Sequence, residues 1–171
     1  MPRMRPAAHR KVNTARLTAR EVQVLALVAE GNALGEVAAE LSITTGTVST
    51  RLDHARDKLQ ARSRPAMVHA ALVTGELTPP DPAPAPETFT ESDRGVWTAL
   101  ATLSTISEIA AALSVSEEAA KAEIRALIVR TGARDQAHLV YLGHGYGVLD
   151  TTVAVVPALV PEGMRRGTVA R

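Results

Sequence analysis

The 171-residue sequence contains no cysteine, which excludes disulfides, thiolate zinc sites, iron–sulfur clusters and a cysteine nucleophile. Aromatic residues make up only 2% of the chain, too few for the base-stacking platforms of many RNA-binding modules. No apolar run reaches the roughly 18–20 residues that span a bilayer, and no apolar segment follows the basic N-terminus as in a signal peptide. These absences predict a cytoplasmic protein with no membrane partner.

The usual marks of catalysis and cofactor binding are also missing. The five histidines do not have metal-ligand spacing, and the chain has no glycine-rich phosphate-binding loop. The sequence therefore predicts no catalytic residue, no metal and no cofactor, and it favours a function other than that of an enzyme.

The formal net charge of +1 hides an uneven distribution along the chain. Residues 1–78 carry eleven basic and seven acidic side chains, whereas residues 88–150 carry five basic and eight acidic ones. The first half is thus basic and the second half acidic, which suggests different partners for the two.

Proline marks the division between these halves. Five of the ten prolines lie between Leu77 and Glu87, a composition typical of a stiff, polyproline-like linker. We therefore expect a first domain at 17–77 and a second domain at 89–148, joined by a linker at 78–88. A basic arm at 1–16 precedes them, and a tail at 149–171 follows them.

The two flanks of the proline-rich stretch repeat one another. A shift of 72 positions aligns them without a gap and pairs identical residues at helical spacing, which indicates a duplication. Identical pairs include Thr18/Thr90, Val24/Val96, Glu36/Glu108, Ala38/Ala110, Leu41/Leu113, Ser42/Ser114, Arg62/Arg134 and Val68/Val140.

Helix signals in each flank predict four helices. Thr18 with Glu21 forms a capping box, Thr44 can cap a longer third helix, and Pro65 suits the first turn of a fourth. Two helices, a tight turn and an amphipathic third helix give the order of a helix-turn-helix. The fold class predicted is all-α, with two tandem four-helix helix-turn-helix domains joined by the proline-rich linker.

The first flank carries a more specific pattern, and the second repeats it weakly. The residues are Leu17-Thr-Ala-Arg-Glu21, Val24-Leu25, Gly31, Glu36-Val-Ala38, Leu41-Ser-Ile43, Thr47-Val48, Lys58-Leu59 and Ser63-Arg64. This pattern resembles the LuxR/GerE-type DNA-binding domain of bacterial transcription regulators. The resemblance implies that the third helix reads bases and that the fourth often serves dimerisation, here residues 44–60 and 64–75.

The third helix itself supplies candidate DNA contacts. With Val48, Leu52 and Ala55 turned inward, hydroxyl and charged side chains occupy the opposite face, and no acid blocks the helix N-terminus from a phosphate. We expect positioning by Thr44, Thr45 and Thr47, base contacts by Ser49, Thr50 and Asp53, and phosphate neutralisation by Arg51, Arg56, Lys58 and Arg64. Ser49 and Asp53 stand where the family usually carries basic residues. For Ser49, Thr50 and Asp53, the alternative interpretation is a solvated helix face.

The second flank departs from this pattern at its third helix. Glu117 and Glu118 begin the helix and oppose a phosphate, although Lys121 and Arg125 restore basic side chains further on. A degenerate structural or dimerising copy and a second reading head both remain open.

The sequence thus predicts a DNA-binding transcription regulator that reads the major groove of double-stranded DNA with its first domain. A homodimer or a protein partner is expected through the second domain. The alternative is an adaptor that uses helix-turn-helix folds to contact another regulator or RNA polymerase. A sigma-factor-like promoter-binding region shares the fold but fits the motif less well.

Overall fold

A computed structural model describes residues 16–150, so the predicted arm and tail lie outside it except for Arg16, Leu149 and Asp150. These residues form helices and no strand, and the prediction of an all-α fold is confirmed for them. The helices are α1 (Ala19–Ala29), α2 (Leu34–Glu40), α3 (Thr45–Leu59), α4 (Arg64–Val73), α5 (Glu91–Thr102), α6 (Ile106–Leu113), α7 (Glu117–Thr131) and α8 (Gln136–Gly145). We call α1–α4 the first half and α5–α8 the second half.

Short polar side chains set where the helices begin. The Thr18 hydroxyl accepts a hydrogen bond from the backbone N–H of Glu21, and the Glu21 carboxylate accepts one from the N–H of Thr18. The Thr44 and Ser63 hydroxyls cap α3 and α4 by accepting from the N–H groups of Thr47 and Ala66, without a reciprocal bond. Each cap satisfies a backbone donor that the helix leaves unpaired, typically worth about 1 kcal/mol.

The turn between α2 and α3 reverses the chain so that α3 packs on the first two helices. Ser42 adopts a left-handed conformation with φ 52°, which reverses the chain before Thr44. Val37 of α2 and Val48 and Ala55 of α3 are fully buried, as is Val24 of α1. The apolar side of α3 is therefore held by α1 and α2, while its polar side stays at the surface.

Trp97 is the largest fully buried side chain of the second half. Its indole N–H donates to the carbonyl of Leu139 at 2.8 Å, and the ring of Phe89 meets it edge-on at 4.6 Å between centroids. A buried indole needs such an acceptor, because an unpaired N–H away from water is costly. Trp97 thereby ties α5 to α8.

The proline-rich segment from 78 to 88 contains neither helix nor strand, as its composition predicts. It lies against the end of α8, where the N–H of Ala83 donates to the carbonyl of Gly145 at 3.1 Å. A Cβ placed on Gly145 would come within 3.1 Å of Pro80, so the two segments approach closely. The segment is therefore packed against the helices it connects.

The two halves pack against each other mainly through α4 and α8, with further contacts of α4 with α5 and of α1 with α8. His69 Nδ1 of α4 lies 3.0 Å from His144 Nε2 of α8. Leu139 and Val140 of α8 are fully buried within the chain. The side of α8 that packs on α4 is thus covered by the first half.

Candidate nucleic-acid interface

The N-terminus of α3 is polar and carries no acidic residue in its first turn. The Thr44 hydroxyl accepts from the N–H of Thr47 at 3.1 Å, and the two hydroxyls lie 2.9 Å apart. Thr45 and Gly46 are exposed in the same turn. Unpaired backbone N–H groups and the positive end of the helix dipole make such a terminus attractive to an anion.

An open cleft of about 560 Å³ separates this terminus from the start of α1. The α3 side is lined by Thr44, Gly46, Thr47, Thr50, Arg51 and His54, and the α1 side by Thr18, Arg20 and Glu21. The structure therefore brings four of the predicted site residues together: Thr44, Thr47, Thr50 and Arg51. Arg20 joins them across the cleft, a residue that sequence reasoning missed because it lies far from the third helix along the chain.

Four more of the predicted residues lie around a second depression, which extends from another side of α3 toward α4. Ser49, Asp53, Arg56 and Arg64 line it together with Arg62. Arg56 forms an exposed ion pair with Asp53 at 3.1 Å. The acidic residue that departs from the family pattern is therefore neutralised locally, and it offers phosphate less repulsion than an isolated carboxylate.

Lys58 was predicted to contact phosphate, but in the structure it forms an ion pair with Glu21 of α1. Its Nζ lies 2.8 Å from Glu21 Oε2 and 3.1 Å from Oε1, and its side chain is only 20% exposed. Burial would raise the pKa of Glu21, but hydrogen bonds from Lys58 and Thr18 outweigh it and hold the pKa below its usual value. The structure thus places Lys58 in an ion pair that joins α3 to α1.

We expect Lys58→Ala to destabilise the fold by about 2 kcal/mol, because it leaves the buried Glu21 carboxylate without its cation. Arg56→Ala, which removes an exposed ion pair on the same helix, should cost less than about 0.5 kcal/mol. Urea unfolding of both variants at neutral pH checks the difference. Equal midpoints for the two variants would contradict the structural role of Lys58.

Two of the predicted phosphate contacts, Arg51 and Arg64, are not held in ion pairs with other residues of the 16–150 range. In the part of the chain that the structure describes, neither Arg51 nor Arg64 forms an ion pair within 4.0 Å, and the same holds for Arg20. Arg51 lies on the cleft and Arg64 is the first residue of α4. These side chains can neutralise phosphate without first breaking an internal pair.

The corresponding helix of the second half, α7, begins with acidic residues. Glu117 and Glu118 occupy the first turn of α7, and Lys121 pairs with Glu118 at 3.7 Å. Asp93 and Arg130 reproduce the Glu21–Lys58 pair, with Arg130 Nη1 at 2.8 Å from Asp93 Oδ1. The Arg130 guanidinium, against burial, lowers the pKa of Asp93 to about 2. The second half thus has a similar internal pair, but the first turn of α7 carries acids that would repel an anion.

Residues 16–150 contain neither a candidate metal site nor a candidate membrane span. No group of three or more histidine and carboxylate side chains there could hold a metal ion. No helix in that range combines the length and the apolar character that crossing a membrane requires.

Residues 15–71 match the family model described as "GerE: Bacterial regulatory proteins, luxR family", which covers one third of the chain. Neither the curated proteins nor the solved structures contain a match to the chain. The first half therefore contains a LuxR-type helix-turn-helix domain, of a family that typically binds DNA, regulates transcription and is not enzymatic.

Proposed function

Starting from a LuxR-type domain in the first half, we propose that this protein is a sequence-selective transcription regulator that reads the major groove with α3. The observation that carries the proposal is the polar, acid-free N-terminus of α3, which opens on a cleft flanked by Arg20 and Arg51. A phosphate docked there would orient the helix, and the exposed residues behind it would then face base edges.

Each predicted residue has a role in this proposal that follows from its chemistry. Thr44 and Thr47 preorganise the helix start through their mutual hydrogen bond, while Thr45 stands free beside them. Ser49 and Thr50 contribute little charge and suit contacts to base edges or a thymine methyl. Arg51 and Arg64 contact phosphates in this proposal, while Asp53 and Arg56 form an ion pair with each other. Lys58 positions α3 on α1 through its ion pair with Glu21.

The second half is, in this proposal, a degenerate copy that does not read DNA. Its domain would span 89–148, against 17–77 for the first, with the proline-rich segment between them. Glu117 and Glu118 favour α7 itself, since acids stabilise a helix N-terminus, but they repel an incoming phosphate. This division of roles agrees with the charge of the two halves.

Selection of bound sequences from a random duplex pool, with the full chain, tests the proposal. Enrichment of a motif is the expected outcome, and Ser49→Ala should flatten its preference at one or two base positions while binding to random duplex is retained. Failure to enrich any motif would favour the adaptor that contacts another regulator or RNA polymerase.

The double variant Arg51→Ala/Arg64→Ala should bind DNA more weakly and with a shallower salt dependence. Loss of two phosphate contacts changes the slope of log affinity against log salt by about 1.8, because each contact contributes about 0.9. Fluorescence anisotropy with a labelled duplex at several salt concentrations measures it. The matched control is Arg94→Ala/Arg125→Ala, two exposed arginines of the second half. A wild-type slope in the first double variant would remove α3 and the start of α4 from the interface.

A further inference from the structure

Helix α4 is buried on every side. All eight residues from Pro65 to Leu72 are buried, including His69, which is 1% exposed. A helix at the surface of a small domain buries only one stripe, so a helix buried all round must have partners on both sides. One side of α4 faces α1 and α3 of its own half, and the other faces α5 and α8.

Contacts between the halves occur in pairs that the 72-residue shift exchanges. The shift converts α4 into α8 and α1 into α5, so the packing of α4 on α5 corresponds to that of α8 on α1. The packing of α4 on α8 is unchanged by the exchange, because the exchange turns each of these two helices into the other. Such reciprocal contacts define an isologous interface, the kind that a two-fold axis generates between identical subunits.

One ion pair between the halves has charges of the same kind at the exchanged positions, although only one of the two pairs lies within 4.0 Å. Arg134 of the second half donates to Glu36 of the first at 3.2 Å. The shift turns these residues into Arg62 and Glu108, and the charge of Arg62 acts across the interface on the Glu108 carboxylate. The exchange therefore places an arginine and a glutamate in corresponding positions, with a direct ion pair only between Arg134 and Glu36.

The loops after α1 and α5 also correspond. The Ser63 hydroxyl donates to the carbonyl of Leu103 at 3.3 Å, and Leu103 is the counterpart of Gly31. A Cβ placed on Gly31 would lie only 2.8 Å from the Cβ of Arg134. Each of these loops therefore meets the segment just before the fourth helix of the other half.

We propose that the second half is a built-in dimerisation partner: α5–α8 occupies, within one chain, the α4 surface that a second copy of the first half would need. The protein would then present a pseudo-two-fold pair of helix-turn-helix units as a monomer. The proposal concerns this interface alone, and it stands or falls independently of DNA binding.

Residues at the centre of the interface favour the pairing of the first half with the second half over the pairing of two first halves. His69 faces His144, whose counterpart in the first half is Leu72. Two first halves packed in the same way would place each buried His69 imidazole against a leucine and lose the 3.0 Å contact between ring nitrogens. An imidazole nitrogen that loses a buried hydrogen bond disfavours such pairing.

Cross-linking between engineered cysteines tests the proposal, because the chain has no native cysteine. The exposed positions Glu36 and Arg134 are changed together in Glu36→Cys/Arg134→Cys and treated with a short bismaleimide. We expect a cross-link within one chain, mapped by peptide mass, and a sedimentation mass that stays at 18.0 kDa. The second pair, Arg62→Cys/Glu108→Cys, should react in the same way if the interface is reciprocal.

An equal mixture of the two single variants, Glu36→Cys and Arg134→Cys, is the matched control. Cross-linking between separate chains at about 10 µM should be about 100-fold slower, because linked sites experience an effective concentration near millimolar. Efficient cross-linked dimers in the mixture, or a sedimentation mass of twice 18.0 kDa, would show that the interface joins two chains and would overturn the proposal. Absence of any 36–134 product in the double variant would overturn it as well.

Discussion

Thr45→Glu combined with Gly46→Glu should lower DNA affinity at least about 100-fold while the fold remains intact. These substitutions give α3 the acidic start of α7, because Thr45 and Gly46 are the counterparts of Glu117 and Glu118. Both positions are exposed, and a Cβ on Gly46 meets only the Thr44 hydroxyl, at 3.7 Å. Acids at a helix N-terminus stabilise the helix by up to about 1 kcal/mol each, so stability should not fall. Repulsion of a docked phosphate by two charges, at about 3 kcal/mol, accounts for the loss.

A variant with the same charge change elsewhere separates local from global electrostatics. Ala111 and Ala112 are exposed on α6, and Ala111→Glu/Ala112→Glu also lowers the net charge by two. Anisotropy titrations should give this control near wild-type affinity, and urea unfolding should show all three proteins folded. Equal weakening by both double variants would mean that total charge, and not the α3 terminus, governs binding.

Acidification should weaken the fold at the interface between the halves. Burial, assisted by His69 and opposed by Asp150, lowers the pKa of His144 from 6.5 to about 4. Since the folded-state pKa is depressed, stability is complete above about pH 6.5 and falls as the pH drops toward 4. Linkage gives a loss of about 2 kcal/mol between pH 7.5 and about pH 5 from His144. Urea midpoints measured across that range check it.

The control for this prediction removes the titrating ring while keeping its shape. His144→Phe should lose some stability at neutral pH but should vary about 2 kcal/mol less with pH than the wild type. His138, whose pKa burial also lowers, still titrates in the variant, so the pH dependence should decrease and not vanish. A wild-type profile in His144→Phe would exclude His144 as the source.

Local chemistry in the sequence was enough to predict the helices and the start of the candidate site. Thr18, Thr44 and Pro65 mark helix starts through hydrogen bonds or backbone restrictions that act within a few residues, and the structure contains the helices that they predict. The acid-free start of α3 and the acidic start of α7 are likewise visible in the sequence, because they depend only on neighbours in the same turn.

Relations between distant residues required the tertiary structure. In the sequence Lys58 is one more cation along α3, but only the packing of α3 on α1 places it against Glu21 and leaves its side chain 20% exposed. Arg20 joins the candidate interface for the same reason, since the cleft exists only when α1 and α3 are together.

The face of α4 that points away from α1 and α3 shows most clearly what the sequence alone leaves open. Its apolar residues predict burial, and they would do so equally for a homodimer, a protein partner or the other half of the same chain. In the structure this face packs on α5 and α8, and the segment from 78 to 88 that connects the halves lies against the end of α8. The sequence by itself therefore determined the helices, their caps and the charge of each surface. Only the tertiary structure decided which surfaces face solvent and which face one another, because that depends on shape complementarity between elements far apart in the chain.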